Sequence, residues 1–165
     1  MDWLDNKKIK SYFQSPRGQK ILLIIFGVGI IMFMFPPSDT ISGDATASGG
    51  TGLMVGDTYV ILHGIKSPSP KLQCFNLDKN IPCIAGTTKE LSEQIEGRQV
   101  TCERIHSRVS GIPTARCFAD GLDLSGHLVK TGWAKADLTA TDEYLSLEVS
   151  ARREFKGIWY KENKK

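Results

Sequence analysis

The chain has 165 residues, a length that supports one hydrophobic core rather than several. The formal net charge of +3 resides in residues 1–37, with five Lys/Arg and two Asp/Glu, whereas the remainder holds sixteen of each. Sequence-independent nucleic-acid binding depends on clustered cations that release counterions. The neutral remainder therefore gives no support for a nucleic-acid partner.

The N-terminal part of the chain predicts a membrane anchor. Residues 1–20 form a basic, polar tail, and Ile21–Phe35 is an uninterrupted apolar run. A helix of this length reaches about 22 Å, short of the hydrocarbon core of a bilayer, and Lys20 can extend the span by reaching to the interface. A cleaved signal peptide is the alternative, with an A-x-A site at residues 45–47. Cleavage there would remove most of the first predicted strand, which favours an uncleaved transmembrane helix at 21–37.

The same charges predict how the anchor is oriented. Because basic residues stay in the cytoplasm, the N-terminus is expected there and the domain on the periplasmic side of the inner membrane, as a single-pass protein. Gly27 and Gly29 interrupt the bulky run and would let another helix approach closely. The expected partners are therefore the lipid bilayer and other membrane or periplasmic proteins. Residues 38–50 are predicted to form a linker that merges into the first strand. The globular domain is expected at 41–160, and residues 161–165 are expected to form a charged tail.

Four segments of the globular part share their order and spacing with a known family. They are V-I-L-H-G-I-K-S-P-S at Val60–Ser69, P-T-A-R-C-F-A-D-G-L-D-L at Pro113–Leu124, L-V-K-T-G-W-A at Leu128–Ala134, and Y-x-x-x-E-x-x-A-R from Tyr144 to Arg152, followed by G-I-W. From about residue 43 to residue 160 the chain resembles the secreted bacterial branch of the staphylococcal nuclease (thermonuclease) family.

This resemblance implies an α+β fold, a five-stranded OB-fold barrel with about three packed helices, preceded here by the transmembrane helix. Strands are expected near 42–48, 52–56, 58–65, 98–106 and 113–118, and helices near 86–96, 122–131 and 141–155. Gly132 is placed to end the second helix. Trp133 and Trp159 are expected in the core.

The resemblance also identifies where the family carries its chemistry. The family's calcium-binding aspartates correspond here to Thr51 and Lys66, and its water-positioning glutamate corresponds to Ser69. Its two phosphate-binding arginines correspond to Ile61 and Ile112. Calcium needs several oxygen ligands, normally including carboxylates, and phosphodiester cleavage needs cations that stabilise the developing charge. This chain has a lysine at a carboxylate position and isoleucines at both arginine positions. We therefore expect no catalytic residues, no metal site and no cofactor.

One motif, in contrast, resembles a calcium-binding sequence. Gly56-Asp57-Thr58 has the letters of the family's calcium motif, G-D-T, yet only two residues separate Thr58 from Ile61. That spacing is too short for the hairpin that the family places between motif and strand. Gly56-Asp57 is typical of a two-residue turn between two strands. Asp57 would be a metal ligand only if the alignment were shifted.

The four cysteines predict an oxidising compartment. Cys74, Cys83, Cys102 and Cys117 form an even set, with no C-x-x-C pair and no histidine at metal spacing. If the V-T-C and A-R-C segments lie on adjacent antiparallel strands, a Cys102–Cys117 disulfide is geometrically natural, which leaves Cys74–Cys83. A zinc site and free buried thiols are the alternatives.

Two functions of different classes follow. The first is a membrane-anchored, periplasm-facing nuclease-like domain that has lost catalysis and acts as a binding or scaffold module, such as an accessory subunit of an envelope or membrane protein complex. The second is an active calcium-dependent phosphodiesterase that degrades nucleic acid outside the cytoplasm, with Ca²⁺ as its cofactor.

Overall fold

Short strands make up most of the first half of the domain, and three helices follow or interrupt them. The computed structural model describes residues 39–76, 79–105 and 111–160. Within these ranges the strands are β1 (Thr40–Gly43), β2 (Ala45–Ser48), β3 (Gly52–Val55), β4 (Thr58–Leu62), β5 (Ile65–Lys66), β6 (Gln73–Asn76), β7 (Lys79–Pro82), β8 (Val100–Ile105), β9 (Thr114–Ala119), β10 (Leu122–Asp123) and β11 (Lys135–Ala136). The helices are α1 (Cys83–Ile95), α2 (Leu124–Lys130) and α3 (Leu145–Arg153), with a 3₁₀ turn at Gly157–Trp159.

Seven strands form the main sheet, in the order β1-β8-β9-β4-β3-β2, with β10 paired to β9. Its pairs are antiparallel except β4 with β9, which run parallel with Ile61 opposite Thr114. The two ends of this order, β1 and β2, are separated in the chain by Asp44 alone. The sheet must therefore curl until its first and last strands are neighbours. Two small sheets accompany it, β5 with β11 and β6 with β7.

The inner face of the curled sheet carries the main core. Along β9 the side chains alternate, so that Ala115, Cys117 and Ala119 are fully buried between partly exposed neighbours. Leu91 of α1 and Leu128 of α2 pack into the same core, and each is fully buried. Burial of such a leucine stabilises the fold by about 1.5–3 kcal/mol relative to an exposed one.

Both predicted disulfides are present. Cys102 and Cys117 are direct cross-strand partners in β8 and β9, with their Cα atoms 4.0 Å apart. Cys74 and Cys83 join β6 to the start of α1, with their Cα atoms 4.9 Å apart. The second disulfide lies in a smaller core cluster that includes Trp159, which is 1% exposed. The prediction that Trp159 is a core residue is confirmed.

Local chemistry explains where α2 begins and ends. The Asp123 carboxylate accepts hydrogen bonds from the backbone N–H groups of Ser125 (3.0 Å) and Gly126 (3.2 Å), which have no partner inside the helix. After the helix, Gly132 has φ of +79°, a conformation that a glycine adopts without strain. The predicted end of this helix is therefore confirmed.

The fold predicted from the sequence was wrong in its specific form. The α+β class and the three helices agree with the structure, but the main sheet has seven strands rather than five. The bend at Asp44 divides the predicted first strand into β1 and β2, and the turn at His63-Gly64 separates β5 from β4. Strands of two residues, such as β5 and β10, are too short to show a period of two in the sequence.

The predicted transmembrane helix also finds no support in the fold. No helix in the described ranges is long and apolar enough to cross a membrane. The tail at 1–20, the segment at 21–37 with Gly27 and Gly29, and the tail at 161–165 lie outside the described residues.

Candidate functional site

Three of the positions to which the resemblance assigns an active site, Thr51, Ile61 and Ile112, lie at one end of the β3–β4 ladder. Thr51 precedes β3, and its carbonyl accepts the Leu62 N–H at 3.0 Å. Ile61 N–H bonds to the carbonyl of Pro113 at 3.0 Å, next to Ile112. The segment after β5 reaches the same place, because a Cβ built on Gly50 would lie 2.3 Å from the Ser67 Oγ.

Lys66, at a position where the family carries an acid, makes an ion pair. Its Nζ lies 2.8 Å from Oδ1 of Asp137, which follows β11 directly. The pairing of β5 with β11 sets this contact, since Lys66 lies opposite Lys135 and the Asp137 N–H bonds to the Gly64 carbonyl at 2.9 Å. The ion pair brings no net charge to this part of the site.

Asp137 is held in its ionised form. Burial alone would raise its pKa, but hydrogen bonds from Lys66 and Thr139 outweigh burial and hold the pKa below the ordinary value of 3.8. The donors on Oδ1 are Lys66 Nζ at 2.8 Å, Thr139 N–H at 3.0 Å and Thr139 Oγ1 at 2.6 Å. This oxygen is therefore fully engaged by protein donors at neutral pH.

None of the other four positions carries a charge. Ile61 is half-buried in β4, between Gly52 of β3 and Thr114 of β9. Ile112 is 43% exposed, and Ser69 is exposed in the loop after β5, where its carbonyl accepts the Leu72 N–H at 2.9 Å. An isoleucine can offer neither a hydrogen bond nor a charge to a phosphate.

Asp57 lies away from these positions. Val55 pairs with Thr58, so Gly56-Asp57 is the two-residue hairpin turn that the spacing predicts, with φ of +54° at Gly56. Gly52 and Ile61 form the opposite end of this ladder. The structure thus separates Asp57 from Lys66 and Thr51. Within the described ranges, no three His, Cys, Asp or Glu side chains are grouped so that they could hold a metal ion.

A buried polar network supports the strand that carries Lys66. The Tyr144 hydroxyl donates to Asp123 Oδ2 at 2.9 Å, and the Ser125 hydroxyl donates to the His63 carbonyl at 2.9 Å. Burial, and then the neighbouring Asp123 carboxylate, raise the pKa of Tyr144 above its ordinary value. Gly64 packs so tightly that a Cβ there would lie 2.7 Å from the Tyr144 ring.

A second network fixes the strand that carries Asp137. Glu148 is 8% exposed, and its carboxylate accepts the Ala136 N–H at 2.5 Å and Arg152 Nη2 at 2.7 Å. The Arg152 guanidinium lies 4.0 Å from the centroid of the Trp159 ring. α3 thereby holds β11 in place, and with it the partner of Lys66.

Cations elsewhere on the sheet are also paired. Arg104 lies 3.5 Å from Asp39, and Arg116 pairs with Glu143. These contacts reduce the positive charge that β8 and β9 present.

The sequence predicts five positions for the site from the resemblance, but it does not predict what surrounds Lys66. Asp137 lies far from Lys66 along the chain and belongs to no motif. In the sequence, Asp137 simply follows a short alternation of polar and apolar residues. Such a pattern is too common to predict a partner for Lys66.

A scan of protein-family models finds none that matches the chain, and a search of curated proteins finds no significant similarity.

Proposed function

We propose that this chain is a staphylococcal nuclease-like domain that has lost phosphodiester cleavage and serves as a binding or scaffold module outside the cytoplasm. The observation that carries the proposal is the Lys66–Asp137 ion pair, with 2.8 Å between Nζ and Oδ1. It puts a cation where the family resemblance predicts a carboxylate, and it engages Oδ1 of the Asp137 carboxylate.

The chemistry of the remaining positions supports the same conclusion. Calcium binding needs several oxygen ligands with negative charge, whereas the Asp137 carboxylate beside Lys66 is neutralised by the lysine. Stabilisation of a phosphorane-like transition state needs donors or cations aimed at the phosphate, whereas Ile61 and Ile112 are apolar. A site with these side chains is suited to contact with another protein surface rather than to hydrolysis.

The compartment is part of the proposal. Two disulfides are stable in an oxidising environment and are rare in the reducing cytosol. The apolar run at Ile21–Phe35, with basic residues before it, supports attachment to the inner membrane with the N-terminus in the cytoplasm. Partners would then be other membrane or periplasmic proteins.

A cleavage assay tests the proposal. The full chain, purified in detergent, is incubated with plasmid and single-stranded DNA across a series of calcium concentrations. We expect no cleavage above the background of a mock preparation, because loss of each electrostatic stabiliser costs about 10²–10³ in rate. An active family nuclease serves as the positive control.

Asp57→Asn is the matched variant for this assay, because a shifted alignment would make Asp57 the calcium ligand. We expect the variant and the original chain to be equally inactive. Chelator-sensitive cleavage by the pure chain would contradict the proposal, and its loss in Asp57→Asn would assign the activity to the calcium-dependent alternative.

A further inference from the structure

The outer face of α3 is apolar at its centre and charged at both ends. The inner face of the helix is buried in the domain through Glu148 and Ala151. On the opposite face Leu145 is 42% exposed and Val149 is 38% exposed, one helical turn apart. Helix α3 therefore has a second apolar face that the described domain leaves uncovered.

One surface depression follows this outer face from end to end. The residues that line it recur at helical spacing and comprise Asp142, Leu145, Ser146, Val149, Ser150 and Arg153. Ser146 and Ser150 are small, so another helix could approach the backbone closely. At about 1.5 Å per residue the helical part of the stripe, from Leu145 to Arg153, is about 12 Å long.

The charges at the two ends are opposite and unpaired. Neither the Asp142 carboxylate nor the Arg153 guanidinium has an ion-pair or hydrogen-bond partner among the described residues. Other exposed charges nearby are paired, such as Glu143 with Arg116 and Lys156 with Glu154. The two charges without a partner thus mark the limits of the apolar stripe.

We propose that this face of α3 binds the same face of a second copy of the chain, with the two helices antiparallel. A two-fold axis near the middle of the stripe would place Asp142 of each copy opposite Arg153 of the other, because a two-fold contact is reciprocal. Leu145 and Val149 would pack between these pairs and lose their exposure to water. The face is complementary to itself in charge.

The interface is small, so the association is weak in solution. One helix face falls at the low end of protein–protein interfaces, where complexes are transient. Attachment of both copies to one membrane would raise their effective concentration. The inference does not depend on loss of catalysis, and its test has no activity readout.

Charge reversal tests the antiparallel arrangement. Association of the full chain is measured by sedimentation equilibrium in density-matched detergent, up to about 1 mM, the weak end of measurable affinities. Asp142→Arg and Arg153→Asp each turn two attractive pairs into two repulsive ones. We expect each single variant to weaken the dimer by about tenfold or more at low salt, with a smaller effect at high salt.

The combinations are more discriminating than the single variants. Asp142→Arg/Arg153→Asp restores opposite charges across the axis and is expected to dimerise as the original chain does. An equimolar mixture of the two single variants is expected to form the heterodimer, since every cross-axis pair is then attractive. Glu93→Lys, a charge reversal on the exposed side of α1, is the control and should leave association unchanged.

Two results would overturn the inference. One is a chain that stays monomeric up to about 1 mM. The other is a dimer whose affinity is the same in all charge variants, which would place the contact elsewhere in the chain.

Discussion

Replacement of Gly157 by alanine is expected to destabilise the domain by about 3 kcal/mol or more, the range in which steric strain and core disruption combine. Gly157 has φ of +53°, and a Cβ there would lie 2.2 Å from the Gly132 carbonyl oxygen. That carbonyl also accepts the Ile158 N–H at 2.9 Å. The two backbone segments would have to separate, which would move Trp159 out of its cluster.

Gly97→Ala separates the cost of the backbone angle from the cost of the clash. Gly97 has a similar φ of +68°, but a Cβ there would meet nothing within 4 Å. We expect this variant to lose only about 1–2 kcal/mol, the cost of a left-handed conformation. The free energy of unfolding of the full chain, from denaturant titration in detergent, measures both. Equal losses in the two variants would contradict the close contact between Gly132 and Gly157.

Removal of the Cys102–Cys117 disulfide is expected to cost about 2–5 kcal/mol. Both residues are fully buried in the centre of the main core, and the bond closes a loop with a sequence separation of 15 residues. The double variant Cys102→Ala/Cys117→Ala would lose both the cross-link and buried volume. Unfolding in denaturant, without reductant, gives the difference from the original chain.

The second disulfide provides the comparison. Cys74–Cys83 spans 9 residues and lies in the smaller cluster. The shorter loop alone reduces its stabilisation by only about 0.5 kcal/mol, so a clearly smaller loss in Cys74→Ala/Cys83→Ala would come from the smaller core around it. If protein isolated from the cell envelope carries four alkylatable thiols, both the disulfides and the oxidising compartment are wrong.

The sequence predicted local features well because their causes are local. Gly132 at a helix end and Gly56-Asp57 between two strands each act through backbone groups a few residues away. The disulfide at Cys102 followed from one assumption, that two neighbouring segments pair as antiparallel strands, and the structure has that pairing.

Features that depend on distant contacts were not predictable in the same way. The bend at Asp44 shows only once β1 and β2 pair with different strands. Asp137 becomes the partner of Lys66 because β5 and β11 pair, and no sequence pattern marks either two-residue strand. The sequence therefore singles out Lys66, but it gives no sign of the Asp137 carboxylate that neutralises it.

Calcium binding to the full chain tests the central claim most directly. Equilibrium dialysis in the presence of detergent, with free calcium up to about 1 mM, covers the affinities of weak extracellular sites. The Lys66–Asp137 ion pair predicts no saturable binding and no difference between the original chain and Asp57→Asn. One equivalent of calcium bound with saturation, and lost in Asp57→Asn or Asp137→Asn, would contradict the claim that this domain has no catalytic metal site.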